Sequence, residues 1–232
     1  MAADLDKKLM SFWTRILKCN QCQELPDDYY PQFRPVGKKY KVGGVAICQI
    51  NPGHIGKLTE EVINARYKSE NNRKRAMLKQ STANHLTELQ KHFTDNPTSE
   101  TWKALCVDYG EAMSNVWGWP PGKYRKTIER HGASLESVAI VNLMQCPVPR
   151  DRYSNKLLSA CWSERTLGLL EILQPKIIVG QGKTVLRFLR KQQMAWHVTL
   201  LEGVHHASRA SKEKNQQLFD KARKILESSY QS

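Results

Sequence analysis

Polar residues follow three apolar segments of this sequence, and their side chains suit recognition and hydrolysis at one site. Asn51 follows the apolar run at residues 45–50, and Asn142 ends a second such run. His206 stands shortly after a third apolar run at residues 196–201. Short apolar runs bordered by turn-forming residues are typical of buried strands. These three residues are therefore placed where strands end.

The chemistry of these side chains indicates what such a site does. An asparagine amide both donates and accepts hydrogen bonds, so it can orient a water molecule or read the edge of a base. A histidine can donate to negative charge that develops on a leaving group. Singly, each residue also fits an ordinary structural role. Because ligands bind at the carboxyl edge of parallel sheets, we expect Asn51, Asn142 and His206 to lie together.

Strands alternate with helices along the chain. This order predicts an α/β fold, a three-layer α/β/α sandwich around a central four-stranded, mainly parallel sheet. The strands are expected at residues 45–50, 137–143, 176–180 and 196–201. Helices are expected at residues 5–17, 80–93, 99–117, 161–173, 183–192 and 211–230. Residues 1–232 are expected to form a single domain with a basic helical insertion at about residues 57–130.

Composition bounds the function further. The formal net charge is +14, which favours a polyanionic partner such as DNA. No run of about 18 apolar residues is present, and the first ten residues lack the apolar core of a signal peptide. We therefore expect a cytoplasmic monomer with no membrane partner. Six cysteines in such a chain favour metal or thiol chemistry over disulfides, although the pair Cys19 and Cys22 alone is ambiguous.

Over roughly residues 17–226, the sequence resembles the uracil-DNA glycosylase superfamily. Residues 49–53, Gln-Ile-Asn-Pro-Gly, are similar to the first catalytic motif of the mismatch-specific and single-strand-selective branches. Residues 206–211, His-Ala-Ser-Arg-Ala-Ser, are similar to the second motif, which is usually His-Pro-Ser. Residues 141–150 and 175–183 are similar to the second and third strand segments of the iron-sulfur branches.

The resemblance implies a role for each site residue. Asn51 would position the hydrolytic water, and His206 would stabilise the departing base; His205 beside it is the alternative. Asn142, Gln49 and Ile50 would bind the base. DNA contacts are expected from small and basic residues of the two motifs and of the helical insertion, namely Gly53, Arg73, Arg75, Ser208, Arg209, Ser211 and Lys212. Further phosphate contacts are expected from Arg34, Lys38, Lys39 and Lys74.

The resemblance also gives the cysteines a meaning. Cys19, Cys22, Cys146 and Cys161 are similar in spacing to the ligands of the iron-sulfur branches, which implies a [4Fe-4S] cluster. Four thiolates suit zinc equally well on chemical grounds. Either group would tie the amino-terminal helix to the segment after Asn142, a structural role. Cys48 and Cys106 are expected to be buried packing residues.

The implied function is a monofunctional DNA glycosylase for DNA repair, which hydrolyses the N-glycosidic bond of a flipped-out uracil or modified pyrimidine and leaves an abasic site. Residues 57–67 lack the Gly-rich stretch and stacking aromatic of uracil-specific branches, and Ala207 replaces proline. One alternative is therefore antiviral defence through excision of hypermodified cytosine, for example glucosylated hydroxymethylcytosine in phage DNA. Alternatives of other classes are a non-catalytic, cluster-bearing DNA-binding module and a metal-stabilised interaction protein.

Overall fold

The computed structural model describes most of the sheet and of the helices packed on it. The described residues are 2–19, 31, 33–34, 36–37, 39–50, 60–112, 115, 137–146, 154–203, 217, 220–221 and 224. None of the helices among them is both long enough and apolar enough to cross a membrane.

A four-stranded sheet forms the centre of the fold. Its strands are β1 (Val45–Gln49), β2 (Val138–Asn142), β3 (Ile177–Gln181) and β4 (Thr199–Gly203). All three pairings are parallel, and the strand order is β2-β1-β3-β4. The predicted α/β sandwich around a central four-stranded sheet is confirmed. The sheet was predicted to be mainly parallel, and all three of its strand pairings are parallel.

The fourth strand begins later than the sequence pattern predicts. We expected it at residues 196–201, but β4 starts at Thr199 and ends at Gly203. Trp196 belongs to the preceding connection, where its indole N–H donates to the carbonyl of Pro175 at 3.0 Å. The ladder starts only at Thr199, whose N–H donates to the carbonyl of Lys176 at 2.9 Å. The prediction is wrong at this end because the apolar Trp196 packs from the loop and does not belong to the strand.

The described helices are α1 (Ala2–Ile16), α2 (Glu60–Arg66), α3 (Glu70–Asp95), α4 (Ser99–Glu111), α5 (Asn155–Cys161), α6 (Leu167–Leu173) and α7 (Lys183–Leu189). A π-helical turn, Trp162–Thr166, joins α5 to α6. The helix predicted at residues 161–173 therefore begins earlier, at Asn155, because the Ser154 hydroxyl caps it by accepting from the Leu157 N–H at 3.1 Å.

One apolar cluster lies between the sheet and the helices. Alternate strand residues enter it from one face of the sheet, for example Ala46, Val141 and Ile178. The helices α1, α3, α4, α6 and α7 each contribute buried residues to the same cluster. Phe33 packs edge-on against Trp13 at 5.1 Å and against Trp102 at 5.4 Å. The basic helical segment thus shares its core with α1 and the sheet.

Candidate active site at the carboxyl edge of the sheet

Only part of the predicted site falls within the described residues. Gln49, Ile50 and Asn142 are described. The predicted catalytic residues Asn51 and His206 lie outside the described residues. So do several predicted DNA contacts, namely Gly53, Ser208, Arg209, Ser211 and Lys212. The roles given to them stay predictions.

Three amide residues end three neighbouring strands at the carboxyl edge. Gln49 ends β1, Asn142 ends β2 and Gln181 ends β3. Gln49 and Asn142 are directly paired, and the pairing of Cys48 with Gly180 brings Gln181 to the next position. Since side chains alternate along strands, all three amides lie on the face opposite the large apolar cluster. The fold therefore places them in one row.

Asn142 and Gln181 are buried and Gln49 is partly buried, and all three keep hydrogen-bonding capacity. Asn142 is 0% exposed, and neither its amide nitrogen nor its amide oxygen has a hydrogen-bond partner among the described residues. The same holds for Nε2 of Gln49 and Oε1 of Gln181. Buried polar groups in proteins are almost always paired, because an unmet one costs about 1–3 kcal/mol. The described residues thus leave hydrogen-bonding atoms of all three amides open to a further partner at this edge.

The backbone beneath Asn142 is firmly held. Its carbonyl accepts from Nε2 of Gln145 and from the Thr166 hydroxyl, each at 3.0 Å. The same hydroxyl also lies 3.0 Å from the carbonyl of Leu143. The Leu143 N–H in turn donates to the Gln49 carbonyl at 2.8 Å. Because the main chain is fixed while the side-chain amide is unmet, Asn142 is preorganised to bind a partner.

The π-helical turn also connects this edge to the predicted cysteine ligands. The buried Arg165 guanidinium contacts both Cys19 Sγ and Cys161 Sγ, the latter at 3.5 Å. The N–H of Gln145 donates to Cys161 Sγ at 3.3 Å. Cys146, the residue after Gln145, is also buried. A cation and a backbone N–H directed at sulfur suit thiolate ligands, because both offset their negative charge.

Three of the four predicted metal ligands, Cys19, Cys146 and Cys161, are among the described residues. Cys19 and Cys161 both contact the Arg165 guanidinium, whereas Cys22 lies outside the described residues. Across the described part of the chain, no three His, Cys, Asp or Glu side chains are placed to hold one metal ion. The four-cysteine centre therefore stays a prediction.

The two other cysteines behave as neutral thiols. Cys48 is fully buried in the sheet, and burial raises the pKa of its thiol to about 12. The predicted packing role of Cys48 is confirmed. Cys106 on α4 is only partly buried, and burial together with the negative charge of Asp6 raises its pKa to about 12. Neither thiol ionises near neutral pH.

The basic residues predicted to contact DNA differ in their surroundings. On α3, Arg75 is exposed and Arg73 is partly exposed. Lys74 is exposed and forms an ion pair with Glu70 at 2.6 Å. Arg34 is half-buried, and burial lowers the pKa of its guanidinium. Arg75 is therefore better placed for a phosphate than Arg34, and contact with DNA stays a prediction for all of them.

A groove elsewhere in the molecule lacks the features of the carboxyl edge. It has a volume of about 830 Å³ and lies between α1 and α6, where Lys8, Arg15 and Glu171 line it. Val42 and Gln174, which precede β1 and β3, place it toward the amino edge of the sheet. Its charges are of both signs and it is widely open to solvent. It offers no converging set of buried polar atoms.

Four residues at this edge were not predicted from the sequence as site residues: Gln145, Arg165, Thr166 and Gln181. Gln181 could have been predicted from the sequence, because it is the one amide residue at the end of an otherwise apolar strand. Gln49 has the same position in β1. Arg165 stands four residues after Cys161, one helical turn on. Thr166 had no such signal, because its partners lie 23 and 24 residues away in sequence.

No protein-family model matches the chain, and no curated protein matches it.

Proposed function

We propose that the protein is a monofunctional DNA glycosylase that hydrolyses the N-glycosidic bond of a flipped-out uracil or modified pyrimidine. The observation that carries this proposal is the Asn142 amide, which is buried and unpaired among the described residues. It stands at the carboxyl edge of a parallel sheet, where ligands of α/β proteins bind. An amide recognises the mixed donor and acceptor edge of a base, and a base can reach a buried amide only after leaving the stack.

In the proposed mechanism, Asn142 and Gln49 hold the base while the bond to the sugar breaks. Positive charge then develops on the sugar and negative charge on the base. His206 donates a hydrogen bond to the departing base, and the DNA phosphates stabilise the sugar cation. Asn51 orients the attacking water, because an amide cannot act as a general base near neutral pH. The reaction rate therefore depends strongly on how well the base leaves.

The proposal includes a [4Fe-4S] cluster held by Cys19, Cys22, Cys146 and Cys161, with zinc as the alternative. The Arg165 contacts with Cys19 and Cys161 support a shared centre for these sulfurs. Such a cluster would supply structural cross-linking and take no part in bond cleavage. Its ligands would hold the end of α1 against the segment that follows β2, beneath Asn142.

Glycosylase activity is tested by incubating the protein with end-labelled oligonucleotides that each carry one uracil, thymine or 5-hydroxymethylcytosine, followed by alkaline cleavage. We expect strand breaks at one or more of these bases. Asn51→Ala should remove the breaks but leave DNA binding nearly unchanged, and His206→Ala should slow cleavage by about 10²–10³. DNA binding without any abasic sites would instead support a non-catalytic DNA-binding module.

A second candidate, excision of hypermodified cytosine from phage DNA, is favoured by α2. Helix α2 occupies Glu60–Arg66, within the stretch where the uracil-specific branches carry a Gly-rich segment with a stacking aromatic. Without that segment, a feature that excludes larger bases is missing. DNA containing glucosylated hydroxymethylcytosine should then be cleaved faster than uracil DNA. Equal or slower cleavage would reject this candidate and leave the proposed glycosylase intact.

A further inference from the structure

We propose that Gln181 is a specificity-determining residue, whose amide hydrogen-bonds a polar exocyclic group of the flipped base that Asn142 does not reach. This inference rests on the proposed function and deepens it, because it names the substrate class of the same site. Pyrimidines with an exocyclic amino or hydroxymethyl group form that class.

The topology places Gln181 at the point where a ligand is expected. In the order β2-β1-β3-β4, the connection from β1 leads to one side of the sheet and the later strands lie on the other. The order therefore reverses between β1 and β3, and ligands of parallel sheets bind outside the carboxyl ends at such a point. Gln49 and Gln181 end the two strands that border it. Asn142 stands on the far side of β1.

The burial of Gln181 requires a partner for its amide. The side chain is only 5% exposed, and Oε1 has no hydrogen-bond partner among the described residues. The four residues before it in β3 are Ile-Ile-Val-Gly, so an apolar residue would fit the strand pattern equally well. A buried acceptor with no partner among the described residues carries a cost, and a ligand donor would remove that cost.

The backbone around Gln181 is tightly fixed. On the side facing α7, a Cβ at Gly180 would lie 3.3 Å from backbone atoms of Leu186. The Gly182 N–H donates to the carbonyl of Gly203 at 3.1 Å. A Cβ at Gly203 would lie 2.6 Å from Val179, so β4 approaches β3 closely here. The buried Gln181 amide therefore stands at the end of a strand whose backbone position is fixed by close packing.

The spacing of the strands sets the class of ligand. Neighbouring strands are about 4.8 Å apart, so the Cα atoms of Asn142 and Gln181 are separated by about 10 Å across β1. A pyrimidine whose pairing edge is turned to Asn142 and Gln49 can extend toward Gln181 through the substituents at ring positions 4 and 5. The unmet atom of Gln181 is an acceptor, which suits an amino or hydroxyl donor. Uracil has no exocyclic donor, whereas cytosine and hydroxymethylcytosine do.

The test measures binding separately from cleavage. Dissociation constants are determined for Asn51→Ala and for Asn51→Ala/Gln181→Met with single-stranded oligonucleotides that carry one uracil, cytosine or 5-hydroxymethylcytosine. Methionine keeps the size of glutamine but removes the hydrogen bond. We expect it to weaken binding of the cytosine and hydroxymethylcytosine DNAs about tenfold relative to uracil DNA. Asn51→Ala/Gln192→Met is the matched control, because the side-chain Nε2 of Gln192 donates to the Phe188 carbonyl at 3.2 Å, away from the carboxyl edge.

Cleavage of the same oligonucleotides by the protein with Asn51 intact separates the two proposals. Cleavage without any Gln181-dependent preference overturns the inference and leaves the glycosylase proposal standing. A Gln181-dependent binding preference without cleavage supports the inference as base recognition and contradicts the glycosylase proposal. Neither cleavage nor a base-dependent change in binding overturns both. An equal loss of preference in Asn51→Ala/Gln192→Met would also overturn the role of Gln181.

Discussion

Two buried amide side chains in this protein, those of Gln90 and Asn142, differ in their hydrogen bonding. Gln90 on α3 is 5% exposed, and its whole amide is paired. Its Oε1 accepts from the Phe33 N–H and the Tyr109 hydroxyl, each at 3.0 Å, and its Nε2 donates to the Pro31 carbonyl at 2.8 Å. Asn142 is buried as deeply, yet both of its amide atoms lack partners among the described residues.

The contrast separates a structural amide from a binding one. Gln90 joins α3 to α4 and to the segment before β1, so the protein itself supplies all of its partners. At the carboxyl edge, Gln49, Asn142 and Gln181 each keep an atom that has no partner among the described residues. The indole N–H of Trp13 is also unmet among the described residues, so one such atom alone proves little. What favours a ligand is that three amides with such atoms stand in one row at the same edge of the sheet.

The largest effect is expected at Asn142. Asn142→Leu should lower base excision by about 10³ or more, because the base loses its hydrogen bonds at the edge. The same change should leave the free energy of unfolding unchanged or raise it by about 1–2 kcal/mol, since two unmet polar atoms disappear. Alkaline cleavage of labelled DNA and urea denaturation measure the two results. A clear loss of stability would show that Asn142 is a structural amide like Gln90.

The opposite pattern is expected at Gln90. Gln90→Leu removes one hydrogen bond each from the Phe33 N–H, the Tyr109 hydroxyl and the Pro31 carbonyl. The free energy of unfolding should fall by about 3 kcal/mol, since each of the three lost hydrogen bonds contributes about 1 kcal/mol. Excision at a temperature where the variant is folded should stay at the parent rate. Gln192→Leu, which breaks one hydrogen bond to the backbone, is the control and should cost less than about 1.5 kcal/mol.

The apolar face of the sheet gives a pH test. Cys48 lies there, and its pKa rises to about 12 from an ordinary value of 9.0 because the thiol is buried. The folded state thus holds the proton more tightly than the unfolded state, and this stability is complete below pH 9. Above pH 9 it should decline by up to about 1.4 kcal/mol per pH unit until the pH reaches the folded pKa.

The measurement for Cys48 is the slope of unfolding free energy against pH between 9 and 11. Cys48→Ala should have a shallower decline than the parent, whatever its stability at neutral pH. Cys106→Ala tests whether the partly buried thiol contributes in the same direction. Equal slopes in the parent and Cys48→Ala would contradict the assignment of Cys48 to a dry apolar face.

The smallest effect is expected at Thr166, which positions Asn142 through its carbonyl. Thr166→Val keeps the shape but removes the hydroxyl, so stability should fall by about 1 kcal/mol and excision by about tenfold. Thr166→Ser keeps the hydroxyl and should recover excision even if its packing costs stability. Failure of serine to recover excision would limit Thr166 to a packing role.

The sequence predicted the strands well where turn residues border apolar runs. β1, β2 and β3 begin and end within one residue of expectation, because glycines, a proline or polar residues interrupt the apolar pattern there. It failed at β4, where Trp196 continues the apolar pattern but hydrogen-bonds outside the sheet. The spacing of apolar residues alone does not determine which residues form the hydrogen bonds between strands.

The supporting residues of the site were beyond sequence reasoning for a different reason. Gln90 stands in a polar helix, and its partner Phe33 is 57 residues away. Arg165 contacts Cys19, which is 146 residues away in sequence. Thr166 donates to the Asn142 carbonyl from a π-helical turn, and no residue pattern predicts such a turn. Asn142 was predictable because a strand end alone fixes its position. Its partners depend on tertiary packing.

Binding of the base by Asn142 can be observed by NMR of the side-chain amides. Asn51→Ala protein is titrated with single-stranded DNA that contains one uracil, and the NH₂ resonances of Asn142 and Gln90 are followed. Asn142→Leu and Gln90→Leu assign the two signals by their disappearance. We predict a saturable shift of the Asn142 signal and none at Gln90, whose amide the protein already pairs. An Asn142 signal that stays unmoved at saturating DNA would contradict the account.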